Sequence, residues 1–258
     1  MNKTALITGA SNGIGLELAR IHARQGDNLV LVARNKKKLD ELKVEIEKQY
    51  QVSVHTIGKD LSEKDAALSV FDELKRNGIE VEYLVNNAGF GQLGEFATNS
   101  WEKEEQMIQL NITALTHFTK LFLPAMLERG SGKIMNVGSV ASFMPGPLMA
   151  VYYATKAYVL SFSEAINAEV RGKGVTVTAL CPGPTASGFQ DAADMKGIKL
   201  LETFKMPSSG VVANYGYRAM MKGRAVAIHG FMNRLMVASL RVSPRSLVLK
   251  VVKWIQKK

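Results

Sequence analysis

A single cysteine, Cys181, stands in 258 residues. No internal disulfide can form, so the fold must hold without covalent cross-links, as suits a reducing compartment. Histidine is almost as sparse. His22, His55, His117 and His229 are scattered without metal-ligand spacing, and no metal is expected. No apolar run approaches the ~20 residues that span a bilayer. Met1-Asn2-Lys3 runs straight into a β-branched stretch, with no apolar h-region and no small-residue cleavage site. A cytoplasmic protein is the expectation. Repeats, low-complexity tracts and Gly/Ser linkers are missing, which points to one domain with short extensions. The G-x-S-x-G elbow of the α/β-hydrolases is missing too.

One sign of charge also runs out. No acidic residue follows Glu202, whereas that stretch holds eleven lysines and arginines, from Lys205 to Lys258. Those eleven exceed the net charge of +10, so the rest of the chain is close to neutral. The basicity belongs to the tail. Nucleic acid is not expected as a partner, for want of a recognised reading motif.

What the chain does have is alternation. Short β-branched runs occupy 4–8, 28–33, 52–57, 81–86, 133–138, 175–180 and 225–229. Several are apolar on both faces, as in a sheet covered on both sides. Helical patterns lie between them. Leu39, Leu42 and Ile46 share one face of such a helix, while Lys36, Lys37, Glu41, Lys43, Glu45 and Lys48 are left for solvent. Gly78, Gly130 and Gly172 fall where helices should stop. Repeated βα alternation implies an α/β fold: a doubly wound, parallel, seven-stranded sheet with helices on both faces and ligands at the carboxyl ends of the strands.

The first strand runs into TGASNGIG, residues 8–15. Gly9 permits a tight turn, Gly13 removes a side chain where a pyrophosphate would approach, and Gly15 lets the next helix pack closely. The helix N-terminus, at Gly13, Ile14 and Gly15, then presents free N–H groups to phosphate. Ser11 and Asn12 can add side-chain hydrogen bonds.

This TGxxxGxG pattern resembles the cofactor signature of the short-chain dehydrogenases/reductases, which are single-domain Rossmann-fold enzymes. The resemblance covers residues 3 to roughly 230. NNAG at 86–89, with Asn87, Ala88 and Gly89, is a second family motif. Asn111, Ser139 in NVGSVAS, and Pro182-Gly183 each fall where the family places a functional residue. Asp60-Leu61 resembles the family's adenine-contacting pair, although Asp60 could equally cap the following helix.

Position 33 carries alanine, where NAD-preferring relatives place an acidic residue for the ribose hydroxyls. Arg34 and Asn35 follow it, then Lys36, Lys37 and Lys38. A guanidinium can grip a 2′-phosphate that a carboxylate would repel, so NADP(H) is expected over NAD(H).

YYATK, residues 152–156, poses a choice. Tyr152 lies four residues before Lys156 and Tyr153 three, so both can share a helix face with the ammonium. Spacing leaves both open. The family pattern YxxxK selects Tyr152. The resemblance then implies Tyr152 as general acid/base, Lys156 as the group that lowers its pKa and holds the nicotinamide ribose, and Ser139 as a hydrogen-bond donor to the substrate oxygen. It implies Asn111 as holder of a relay water. Near the carboxamide, Thr185 takes the family's aliphatic position and Ser187 its threonine position, which leaves open which hydroxyl makes the contact.

Residues 186–206 are expected to form a lid over an apolar pocket, with Phe189, Met195, Ile198, Leu200, Leu201, Phe204 and Met206. The implied activity is reduction of a ketone on a hydrophobic body, a ketoacyl chain or a steroid-like ring, or the reverse oxidation. The alternative is a non-catalytic NADP(H)-binding sensor or scaffold on the same fold. Residues 1–230 read as the catalytic domain and 231–258 as a basic, amphipathic helical extension. There Leu247, Val251, Trp254 and Ile255 make an apolar stripe beside Lys250, Lys253 and Lys257. That helix could pack on its own domain, on a second subunit, or lie on an anionic membrane. The family implies a homodimer or homotetramer formed through helices over roughly 101–127 and 152–171.

Overall fold

The structure, a computed structural model, describes residues 2–189 and 206–256. Its seven strands are β1 (Thr4–Thr8), β2 (Asn28–Ala33), β3 (Val54–Gly58), β4 (Tyr83–Asn86), β5 (Gly132–Val137), β6 (Val175–Cys181) and β7 (Val226–Ile228). They form one parallel sheet in the order β3-β2-β1-β4-β5-β6-β7. The expected doubly wound α/β sheet is therefore present. Its topology reverses between β1 and β4, which opens a crevice at their carboxyl ends.

Both faces are covered. Ile7, Leu29, Leu31 and Val85 pack with α1 (Gly13–Arg24), α2 (Lys36–Gln49) and α7 (Ser209–Met221). Leu6, Val30, Val32 and Ile134 pack with α3 (Ala66–Arg76) and α5 (Leu115–Arg129). Adjacent residues of one strand thus serve opposite cores, which is why the strands read as unbroken apolar runs. Leu39, Leu42 and Ile46 are the buried row of α2, as their spacing predicts. Gly130 closes α5 in the left-handed region at φ 64°.

Two strands begin two residues later than expected. The Ser53 N–H is taken by the Asn28 side chain at 2.9 Å, so the β3 ladder starts at Val54. The Val81 carbonyl accepts from Arg129 at 2.9 Å and leaves β4 to start at Tyr83. The long helix expected over 101–127 is also interrupted. α4 (Trp101–Ile108) passes through a π-helical turn, Gln109–Ala114, before α5 begins. Asn111 sits within that turn, a device frequent at functional sites.

A short 3₁₀ turn (Val140–Phe143) precedes α6 (Ala150–Glu169), and the chain closes with α8 (Phe231–Ser239) and α9 (Arg245–Ile255). No helix among the described residues is long and apolar enough to cross a membrane.

Candidate active site

The glycine turn is built by backbone necessity. Gly9 leaves β1 at φ 67°, and its N–H bonds the Val32 carbonyl at 2.8 Å. A Cβ on Gly15 would strike the Gly9 carbonyl and lie 2.5 Å from Asn87 Nδ2. Asn12 caps α1, its Oδ1 accepting from Gly13 N at 2.7 Å. The first intrahelical bond runs from Leu16 N to Asn12 O, so the Ile14 and Gly15 N–H groups precede it and face outward for an anion. Gly13 lies under Ser187, whose Cβ would be 3.2 Å from an added methyl. Ser11 is half-buried in the same turn. The residues fit a dinucleotide pyrophosphate.

The NNAG segment is knitted onto this turn. Asn87 Nδ2 donates to the Thr8 and Gly9 carbonyls at 2.9 and 3.2 Å. The Thr8 hydroxyl accepts from the Asn87 and Ala88 N–H groups, both at 3.0 Å. A Cβ on Gly89 would come 2.9 Å from Asn111 Oδ1 and 3.4 Å from Lys156 Nζ. Thr8 is thus a positioning residue missed in the sequence reading, although it opens the glycine motif. Behind it, Asn86 donates to Asn136 at 2.9 Å and Asn136 to Ser163 at 2.9 Å, a buried chain tying β4, β5 and α6.

At the end of β2, Arg34 is exposed, and its guanidinium has no ion-pair partner among the described residues. Lys36 is committed, donating to Asp40 and Thr56 at 3.0 Å each. Asn35 caps α2 through Lys38 N at 3.1 Å. Asp60 accepts from the N–H and the hydroxyl of Ser62 at 2.9 and 2.7 Å. It therefore braces its own turn, while α3 begins only at Ala66, and Leu61 is buried beside it.

Ser139, Tyr152 and Lys156 come together at the carboxyl ends of β5 and β6. Ser139 caps the 3₁₀ turn, its hydroxyl accepting from Ala141 N at 3.1 Å. Burial pushes the Tyr152 phenol well above its ordinary value, and the neighbouring Ser139 hydroxyl offsets part of that. Lys156 was expected to lower it. Instead its ammonium donates to the Val137 carbonyl at 2.8 Å and lies 5.9 Å from the centre of the Tyr152 ring. Burial lowers Lys156 itself to about 8. The carbonyl offers a nearby acceptor to a desolvated cation, and the cation takes it. Asn111 is held in place through its side chain. Its amide is locked onto Phe90, accepting from N at 3.2 Å and donating to O at 3.0 Å, with a further bond to Thr155 at 3.1 Å.

The two tyrosines diverge. Phe189 lies 5.3 Å from the Tyr152 ring. Tyr153 covers Gly146, and its hydroxyl accepts from Gln256 of the C-terminal segment at 2.6 Å. After β6, Thr185 is buried and its hydroxyl turns to the Gly183 carbonyl at 2.9 Å, whereas Ser187 stands over the glycine turn. Pro182 accepts from Val140 N at 2.9 Å and joins this loop to the serine turn. Cys181 is fully buried, with burial raising its thiol to about 12, and so is a packed group. Among the described residues no cluster could hold a metal.

Residues 3–196 match the short chain dehydrogenase family model. The chain belongs to the short-chain dehydrogenases/reductases. It has the Rossmann fold of that family. Among its relatives is the human very-long-chain 3-oxoacyl-CoA reductase, 35% identical over 188 residues. That match covers 70% of this chain and 59% of the human protein, so the chain spans about three-fifths of the relative's length. A short-chain dehydrogenase from Sphingobium yanoikuyae, solved with NADPH, superposes with a TM-score of 0.84 at 32% identity over 95% of both chains. The bulky-bulky ketone specific alcohol dehydrogenase from Comamonas testosteroni gives 0.79 at 31% identity, over 93% of this chain and 92% of that one.

Of the expected lid, 190–205 lies outside the described residues, and Met195, Ile198, Leu200, Leu201 and Phe204 with it. Leu148, at the rim, is held at φ 66° by a bond from Gly94 N to its carbonyl at 2.9 Å. A leucine in the left-handed region is strained, and such strain gathers at working sites. Gln256, the partner of Tyr153, gave no sequence signal, because the bond joins residues 103 positions apart.

Proposed function

We propose that this dehydrogenase reduces a ketone on an apolar body to the alcohol, or runs the reverse oxidation, with NADP(H). The observation that carries the reading is the buried Tyr152 phenol with Ser139 beside it and the Phe189 ring against it, at the carboxyl edge beside the glycine turn. The dinucleotide supplies or accepts the hydride. Gly9 to Gly15 would hold its pyrophosphate, and Asn87 to Gly89, Asp60 and Leu61 its adenosine half. Pro182, Gly183, Thr185 and Ser187 would hold its nicotinamide end.

Hydride arrival at a carbonyl leaves an oxyanion that needs a proton. Ser139 would orient that oxygen and Tyr152 deliver the proton. A phenol raised by burial stays protonated at neutral pH, which favours the direction of reduction. In oxidation Lys156 would leave Val137 to favour the phenolate. The Arg34 guanidinium, uncommitted at the β2 edge, supports a 2′-phosphate and hence NADP(H). Similarity to a 3-oxoacyl-CoA reductase and to a bulky-ketone dehydrogenase supports an apolar ketone, as do Phe90, Met149 and Phe189 packed around Tyr152. We read 231–258 as an extension of one catalytic domain, and the chain as a homo-oligomer through α4–α5 and α6.

A panel of 3-oxoacyl thioesters and bulky aryl ketones, run with NADPH and NADH, tests this. Ketone-dependent oxidation of NADPH is expected. Arg34→Ala should raise the KM for NADPH about tenfold and leave that for NADH nearly unchanged. Cofactor binding with no turnover on any ketone would favour the sensor.

A further inference from the structure

The apolar stripe of α9 is not its docking face. Val248, Val252 and Gln256, spaced four apart, are the buried row, and Gln256 anchors the helix to Tyr153. Leu247, Val251 and Trp254, three of the four residues of the expected stripe, face solvent, with Trp254 72% exposed against 6% for Val252, and Ile255 is half-buried. A third sector carries Lys250 and Lys253, both exposed. The helix thus has one face for the domain, one apolar face with no cover, and one cationic face. α8 repeats the pattern. Phe231, Met232 and Leu235 are exposed, at 74%, 70% and 54%, with Arg234 among them. Between the helices, Val242 and Arg241 are exposed as well.

Seven large apolar side chains on one short C-terminal stretch are far more than scattered surface hydrophobes require. Five cations, Arg234, Arg241, Arg245, Lys250 and Lys253, accompany them, and no acid follows Glu202. We infer that α8 and α9 form a docking surface for an anionic lipid bilayer, apolar residues entering the headgroup boundary and cations meeting lipid phosphates. Charge selects this occupant over a second copy. An isologous dimer would set these cations against their own duplicates with no carboxylate in the segment to relieve them. Each helix is also fixed to the domain, α9 through Gln256 and Tyr153, α8 through Asn233 against Gly183. The inference stands apart from the reaction proposed above.

The protein has two tryptophans, so Trp101→Phe leaves Trp254 as the sole indole reporter. That variant is titrated with vesicles of phosphatidylcholine alone and of phosphatidylcholine mixed with phosphatidylglycerol. A blue shift of Trp254 and at least ~10-fold stronger co-sedimentation with the anionic vesicles are expected, both lost in high salt. Leu247→Asp/Val251→Asp should abolish binding while leaving the circular-dichroism melt in place, since both positions are exposed. Equal binding to both vesicles, or none, overturns the inference. So does light scattering in which the parent is a dimer and the double-aspartate variant a monomer that never bound lipid.

Discussion

Tyr152 and Tyr153 are neighbours on α6, yet they belong to different parts of the molecule. Tyr152 faces the crevice, where Thr8 is bonded to Asn87 and Ala88, Asn111 to Phe90 and Thr155, and Ser139 to its own turn. Tyr153 faces the C-terminal helices, which meet the domain through few polar bonds and leave large apolar side chains in solvent. The crevice is dense in mutual constraints, so a change there propagates. The helix pair is held along one narrow row, so most of its surface is free to change. Both arise from one helix because successive residues point about 100° apart around its axis.

The sharpest way to break this contrast is to remove each hydroxyl in turn. Tyr152→Phe should cut kcat for ketone reduction by about 10³-fold, with NADPH affinity kept within a few-fold. Tyr153→Phe should change kcat by no more than a few-fold. Steady-state kinetics with binding measured by NADPH fluorescence checks both. Equal losses would mean that the two tyrosines act as one unit and that the division is wrong.

The crevice should also resist a single added methyl. Gly15→Ala places a Cβ on the Gly9 carbonyl and against Asn87, so the turn and the NNAG segment must part. About 100-fold weaker NADPH binding is expected, roughly 3 kcal/mol. On α9, Val251→Ala trims an exposed side chain and should move stability by less than about 0.5 kcal/mol. Calorimetric titration and thermal melts compare the pair.

Lys156 offers a test through pH. Its folded value is about 8 against an ordinary 10.5. Between those limits the unfolded chain holds a proton that the folded one has shed, so this group makes stability rise with pH. Below pH 8 the full cost of the buried ammonium is present. Cys181 works the other way above its ordinary 9.0, because burial raises it to about 12 and the folded state then keeps the proton. The clean window is therefore about pH 8 to 9. Lys156→Met should remove the rise there and stabilise the cofactor-free protein at pH 7 by about 2 kcal/mol, the charge burial less the bond to Val137. A Tm series across that window reads it. An unchanged slope would show that the ammonium is solvated and not part of the buried site.

These contrasts also mark what the sequence could reveal. The glycine turn was legible because only glycine satisfies a positive φ at residue 9 and a close approach at residue 15. The sheet was legible because doubly covered strands read as unbroken apolar runs. Its edges slipped where Asn28 and Arg129 side chains claimed backbone groups from a distance. The partners of Lys156 and Asn111, Val137 and Phe90, lie 19 and 21 residues away, and no local pattern encodes them. On α9, periodicity marks two apolar rows, Leu247-Val251-Trp254 and Val248-Val252, and gives no ground for choosing which one the domain will cover.

A further test probes the polar bond between the C-cap of α9 and α6. Gln256 is buried and donates to Tyr153 at 2.6 Å, and burial has raised that phenol to about 12. Near neutral pH the hydroxyl is therefore un-ionised, and the bond is a neutral one worth about 1 kcal/mol. Tyr153→Phe, Gln256→Leu and the double variant form a cycle whose coupling energy should be about 1 kcal/mol. The cycle carries a second reading. If α9 is fixed by its apolar row alone, the coupling falls to zero while Val252→Ala still lowers the Tm. If the bond positions Tyr153 beside the crevice, each single variant should raise the ketone KM by a few-fold with kcat unchanged, and the double no more than either. A KM response of that kind would tie the two regions together through Tyr153, and its absence would leave them independent neighbours on one helix.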